Sequence, residues 1–188
     1  MGRTYTAIDD RLASFLLSQP VFFVASAPLA GNGLVNCSPK SNDGELAVLD
    51  AHHVGYLDRT GSGVETIAHL RENGRVVLMF CAFEGRPRIV RIHGRGLSVE
   101  HDDEGFEELS RRFRTGRPER ARSVVVVSAE RISDSCGYGV PLMDFRAYRT
   151  QMAEWADSKG DEGLRAYWES NNSESLDGLP ALRAVKPG

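Results

Sequence analysis

The chain has 188 residues, 41% of them hydrophobic and 26% charged, enough for one compact domain with its own core. A net charge of −3 excludes the broadly basic footprint of a dedicated nucleic-acid binder. Cys37, Cys81 and Cys136 lie far apart with no C-x-x-C pair, so neither a disulfide framework nor a zinc ribbon is indicated, and a reduced, cytoplasmic setting is expected. The opening MGRTYTAIDD lacks the apolar core of a signal peptide, and no later stretch approaches the ~18 apolar residues of a membrane span. A soluble protein without membrane contact follows as the expectation.

In chain order, Asp9 to Ser18 places Leu12, Phe15 and Leu16 on one helical face. Val21 to Ala27 and Leu34 to Ser38 are short apolar runs separated by Pro28, Gly31, Asn32 and Gly33, which predicts a hairpin connection. ELAVLD and HVGYLD follow as two more strands, the first after an Asn-Asp-Gly turn. The stretch YLDRTGSGVETIAHL then gathers hydroxyls, glycines and a carboxylate at a strand-to-helix junction. Ser62 with Glu65 three residues later fits a capping box. The same unpaired helix N–H groups, with Thr60, Ser62 and Thr66, also suit a phosphate. The helix predicted from Ser62 buries Val64, Ile67, Ala68 and Leu70 and stops at Asn73-Gly74.

RVVLMFCAF and RIVRIHGRGLSVE, joined by EGRP, predict a long hairpin, in which Gly94 and Gly96 mark a bulge or a close backbone approach. DDEGFEELSRRF reads as an amphipathic helix, the arginine run Arg111 to Arg122 as its solvated end, and SVVVVSAERI as a core strand. Phe145 to Asn172 is predicted helical, with Trp155, Leu164 and Trp168, and LDGLPALRAVKPG as an irregular tail. Six or seven mostly antiparallel strands with few helices predict a mainly β, α+β fold built as a small barrel. No G-x-G-x-x-G follows a strand, so a Rossmann dinucleotide site is not expected.

Twenty of the 23 basic residues are arginine, which makes Lys40, in the middle of the predicted fold, stand out. Arg86 and Arg88 share one side of their strand and Arg91 takes the other. His52 and His53 are adjacent and point to opposite faces, while His69 and His93 are isolated, so no metal site is expected. Cys136 has no resolving partner nearby.

VNCSPK, then VGYLDRTGSGVETIAHLRENGRVVLMF, then FEGRPRIVRIHGRG, in that order and spacing between Phe22 and Val99, resemble the pyridoxamine 5'-phosphate oxidase-like family of FMN-binding split barrels. SCGYGVPLM and SLDGLP resemble an uncharacterised bacterial branch of it. The resemblance implies a six-stranded antiparallel split β-barrel over residues 1–188, with a helical C-terminal extension from about residue 145. It implies a homodimer with FMN in clefts between the subunits, hydride transfer at flavin N5, and a small-molecule substrate. Carried onto this chain, Lys40 grips the phosphate, with Asn36 and Ser38 beside the flavin. Leu57, Asp58, Thr60, Ser62 and Thr66 border the phosphate and ribityl chain, and Arg88 is the candidate cation at the pyrimidine edge. The rival readings within this fold are a flavin sensor or carrier without turnover, a deazaflavin protein, and a haem-binding barrel.

Two departures are visible. Many members carry an Arg-Lys pair where this chain has Glu65-Thr66. A carboxylate 4 Å from a phosphate charge is repelled by ~4 kcal/mol at an effective dielectric near 20, so Glu65 is expected to face away, cap the helix or bind Arg59. The C-terminal Arg-x-His-Asp-Arg type segment that holds the substrate phosphate in the vitamin B6 oxidases has no counterpart in ALRAVKPG, so vitamin B6 oxidation is not expected.

Overall fold

The structure, a computed structural model, describes residues 2–183. Its strands are β1 (Thr4–Tyr5), β2 (Val21–Ser26), β3 (Asn36–Ser41), β4 (Leu46–Val48), β5 (His53–Arg59), β6 (Arg75–Cys81), β7 (Ile89–Glu100) and β8 (Ala121–Ser135). Its helices are α1 (Asp10–Ser18), α2 (Glu65–Asn73), α3 (Phe106–Ser110) and α4 (Gln151–Asn171), with a single 3₁₀ turn at Pro118–Arg120. Seven strands run in the antiparallel order β3-β2-β6-β7-β8-β5-β4, and the two-residue β1 adds to β8. The expected split-barrel architecture is present, but with seven strands along the main path rather than six.

The sheet curls around period-two side chains. Phe22 and Val24 of β2, Val76, Leu78 and Phe80 of β6, Val90 and Ile92 of β7, and Val125 and Val127 of β8 all point into one core, with Leu12 and Leu16 of α1 packed among them. Phe22 stacks on Phe80 at 5.4 Å and meets Tyr56 edge-on at 5.6 Å. Truncating one such aromatic to Ala costs about 3 to 5 kcal/mol, so this interior sets the barrel's shape. Asp9 caps α1 by accepting from the Leu12 N–H at 2.7 Å.

The long β7 and β8 bend at a register shift between His93 and Gly94, the bulge expected from the glycines. A Cβ on Gly94 would lie 2.0 Å from the Ser128 carbonyl oxygen, so only glycine allows the strands to meet there. Proline is tolerated in β3 because that strand lies at the sheet edge and pairs only with β2.

Three sequence expectations change. The second helix begins at Glu65, not Ser62; the helix expected from Phe145 begins at Gln151; and Arg122 is no solvated helix end but the second residue of β8, with 4% of its surface exposed. The C-terminal extension packs on α2 through Leu164 and Trp168 of α4 and Ala181 and Leu182 beyond it, against Val64, Ile67 and Ala68. Among the described residues, no helix is long and apolar enough to cross a membrane.

Candidate functional site

Edge strand β3, the end of β5, the loop after it and the first turn of α2 converge on one cavity of about 1370 Å³. Its far side is built by the segment around Arg117 and by Phe145, Tyr148 and Met152 of the C-terminal extension. Asn36, Ser38, Lys40, Leu57, Asp58, Thr60, Ser62 and Thr66 all line it. Arg88 does not: it bonds the Tyr5 hydroxyl at 2.7 Å, lies 3.4 Å from Asp134 and stacks over the Phe15 ring. Arg88 immediately precedes β7 and meets β1 through Tyr5.

Asp58 is the centre of the polar wall. Its carboxylate is 1% exposed and lies between two cations, accepting from Lys40 Nζ at 2.6 Å and from Arg122 Nε at 2.8 Å. Burial by itself acts to raise the Asp58 carboxyl; the Arg122 and Lys40 charges outweigh it and bring the pKa down to about 2. Asp58 is therefore ionised, and the three groups together carry one net positive charge. Each Asp58 oxygen is engaged by one cation, so this carboxylate orients Lys40 at the cavity wall. The ammonium has two further donors beyond the one given to Asp58.

The start of α2 explains the glycines. Arg122 also donates to the Gly61 and Gly63 carbonyls, at 3.3 and 2.7 Å, and Asn172 donates to the Gly61 carbonyl at 3.0 Å. These bonds hold residues 61–63 outside the helix. The Ser62–Glu65 capping box is not formed: Val64 occupies the N-cap position and no side chain caps the first turn. Glu65 instead turns its carboxylate toward the tail and accepts from the Leu176 N–H at 3.3 Å, while Arg59 binds Glu45 at 2.7 Å. A Cβ on Gly63 would lie 2.6 Å from Glu65 Oε2, so a side chain there would displace this carboxylate. The first-turn N–H groups of α2 are thus left without a side-chain partner beside the hydroxyls of the cavity wall.

Those hydroxyls are polarised. Asn36 Nδ2 donates to Thr66 Oγ1 at 2.9 Å, and Ser38 donates to Asn36 Oδ1 at 2.9 Å. Trp168 Nε1 donates to Thr60 Oγ1 at 2.7 Å. Arg122, Trp168 and Asn172 were not singled out from the sequence. The usable signal for Arg122 was its place at the mouth of the apolar run SVVVV, where a strand residue is drawn into the core; Trp168 and Asn172 carry no local signal. Arg117 and Arg120 also border the cavity and both bind Asp157.

A split barrel with an uncapped helix start and a lysine on one cavity defines the class to which sequence comparison assigns the chain: it belongs to the pyridoxamine 5'-phosphate oxidase family, whose model matches residues 8–136. It is similar to the pyridoxamine 5'-phosphate oxidase family protein ustO of Aspergillus flavus, 39% identical over 197 residues, covering 96% of this chain and 78% of that one. That relative is fungal, so the similarity is not confined to bacteria. Among solved structures, a conserved hypothetical protein of Mycobacterium tuberculosis superposes with a TM-score of 0.50 at 18% identity, covering 74% of this chain and 92% of the other. An FMN-binding protein of Syntrophomonas wolfei superposes with a TM-score of 0.48 at 17% identity, covering 74% and 91%.

Proposed function

We propose that this chain binds FMN in the cavity and works as a homodimeric FMN-dependent oxidoreductase on a small-molecule substrate. The observation that carries the proposal is the uncapped N-terminus of α2, facing the same cavity as Lys40 and the Thr60, Ser62 and Thr66 hydroxyls. Unpaired N–H groups, a helix dipole, an ammonium and hydroxyl donors are the donor set a phosphate monoester takes. The residues fit the group: Lys40, Thr60, Ser62, Thr66 and the first turn of α2 would hold its phosphate, and Asn36, Ser38 and Leu57 would border the remainder. Bound flavin would supply hydride transfer at N5.

The chain's own residues do the holding and orienting. Asp58 and Arg122 fix Lys40 and the glycine loop, and the two cations keep Asp58 ionised at neutral pH against the opposing effect of burial. Exposed apolar residues, among them Val35, Leu142, Met143 and Phe145, support a second copy covering this side of the protein. The three described cysteines are unpaired, which suits a cytoplasmic setting.

The test is the absorption spectrum of the purified protein before and after FMN addition, followed by reduction with candidate electron donors. Uptake of FMN with donor-driven bleaching supports the oxidoreductase. Uptake without reduction by any donor favours a carrier or sensor, and a colourless protein that takes up neither FMN nor deazaflavin overturns the reading. Sedimentation as a monomer at micromolar concentration would overturn the homodimer.

A further inference from the structure

The C-terminal extension supplies a part of the site that lies outside the segment matched by the family, residues 8–136. Trp168, on α4, is 4% exposed and does not itself line the cavity. It packs in one apolar cluster with Val64, the N-cap of α2, and with Ile67 and Ala68 of that helix, and meets the His101 ring edge-on at 5.4 Å. From that fixed place its indole N–H donates to Thr60 Oγ1 at 2.7 Å.

An indole nitrogen can only donate, so Thr60 Oγ1 is the acceptor in this bond and its own proton points elsewhere. Thr60 is 3% exposed and borders the cavity, and among the described residues no acceptor takes that proton. One turn further along the extension, Asn172 Oδ1 accepts from Arg122 at 2.9 Å while its Nδ2 donates to the Gly61 carbonyl, which fixes the backbone next to Thr60.

We propose that Trp168 is a positioning residue for anion recognition: its indole N–H occupies the acceptor side of the Thr60 hydroxyl and commits that hydroxyl to donate into the cavity, toward the phosphate of the bound flavin. The inference rests on the flavin reading above. It makes the extension a determinant of phosphate selectivity rather than only a cover for α2.

The experiment compares FMN with riboflavin, which lacks the phosphate, by fluorescence titration of wild type, Trp168→Phe, Thr60→Val and the double variant. Trp168→Phe keeps the aromatic packing and removes the donor. It should weaken FMN binding about three- to tenfold, the range for one hydrogen bond, while riboflavin binding changes less than twofold. Thr60→Val should show the same FMN-only loss, and the double variant should be no worse than Thr60→Val alone. Equal weakening of FMN and riboflavin, or losses that multiply in the double variant, would overturn the proposal by assigning Trp168 a packing role. If Trp168→Phe does not fold, Thr60→Val against Thr60→Ser carries the test: only the valine should lose FMN selectivity, and equal affinity of the two variants overturns it. Wild-type protein that binds neither flavin overturns the flavin reading itself, a result distinct from binding FMN with no change in the variants.

Discussion

Replacing Asp58 with asparagine keeps the residue's size and removes the one negative charge shared by Lys40 at 2.6 Å and Arg122 at 2.8 Å. Arg122, 4% exposed, is then a buried cation without a counter-charge, and breaking a buried pair in this way costs about 3 to 5 kcal/mol. The pH dependence gives a sharper signature than the loss itself. Burial acts to raise the carboxyl, but the two cations take it from 3.8 down to about 2. Because the folded value is the lower one, the unfolded chain takes up the proton first as pH falls. The stabilisation is therefore complete above the unfolded value, from about pH 5 upward, and is lost progressively as pH drops through about 2. A gap of roughly two pH units corresponds to about 2 to 3 kcal/mol, of which about 1 kcal/mol has gone by pH 3. Asparagine does not titrate, so the stability difference between wild type and Asp58→Asn should shrink by about 1 kcal/mol between pH 7 and pH 3. Urea unfolding at the two pH values, followed by the fluorescence of Trp155 and Trp168, measures it. A difference that stays constant between pH 7 and pH 3 would refute the ion triad as the source of this stability.

Lys40→Ala should weaken FMN binding by about 1.5 to 3 kcal/mol, the range for a hydrogen bond to a charged group, and a titration with unchanged affinity would remove Lys40 from the site. Gly137 has φ +69°, and a Cβ there would lie 2.6 Å from the Arg88 backbone nitrogen, so Gly137→Ala should destabilise by about 1 to 3 kcal/mol in thermal unfolding. Gly74 closes α2 at φ +71° with its N–H on the His69 and Leu70 carbonyls; Gly74→Ala should cost about 1 kcal/mol without altering flavin affinity.

Where burial and periodicity agree, the fold was readable from the residues alone. VFFVAS, RVVLMFC and the Val124–Val127 run became core strands, and Asn73-Gly74 ended α2 as expected. The start of α2 was misplaced because its determinants are distant: Arg122 and Asn172 draw the carbonyls of Gly61 and Gly63 away from the helical ladder, and neither residue is near them in sequence. The two-residue β1 is too short to show a period, and α4 begins late because 141–150, starting with Pro141, forms no regular structure. Eight of the nine candidate site residues meet at one cavity because a local motif, strand end to helix start, carries most of them. Arg88 was assigned through the family resemblance; in this chain it lies off that cavity, beside Tyr5 and Asp134.

The buried groups behind the cavity explain why its donors are already in place. Asp58 holds Lys40 within the cavity wall, and Trp168 holds Thr60 from behind it. Arg122 ties the two arrangements together, since it binds Asp58, the glycine-loop carbonyls and Asn172 at once. Ordering a flexible side chain on binding costs about 0.5 to 1.5 kcal/mol, and a lysine and a threonine fixed beforehand would avoid that cost for the proposed phosphate ligand. The same connections make the extension inseparable from the barrel. Removing it would bare Val64, Ile67 and Ala68, free one side of Arg122, and return the Thr60 hydroxyl to free rotation, so stability and anion selectivity should fall together.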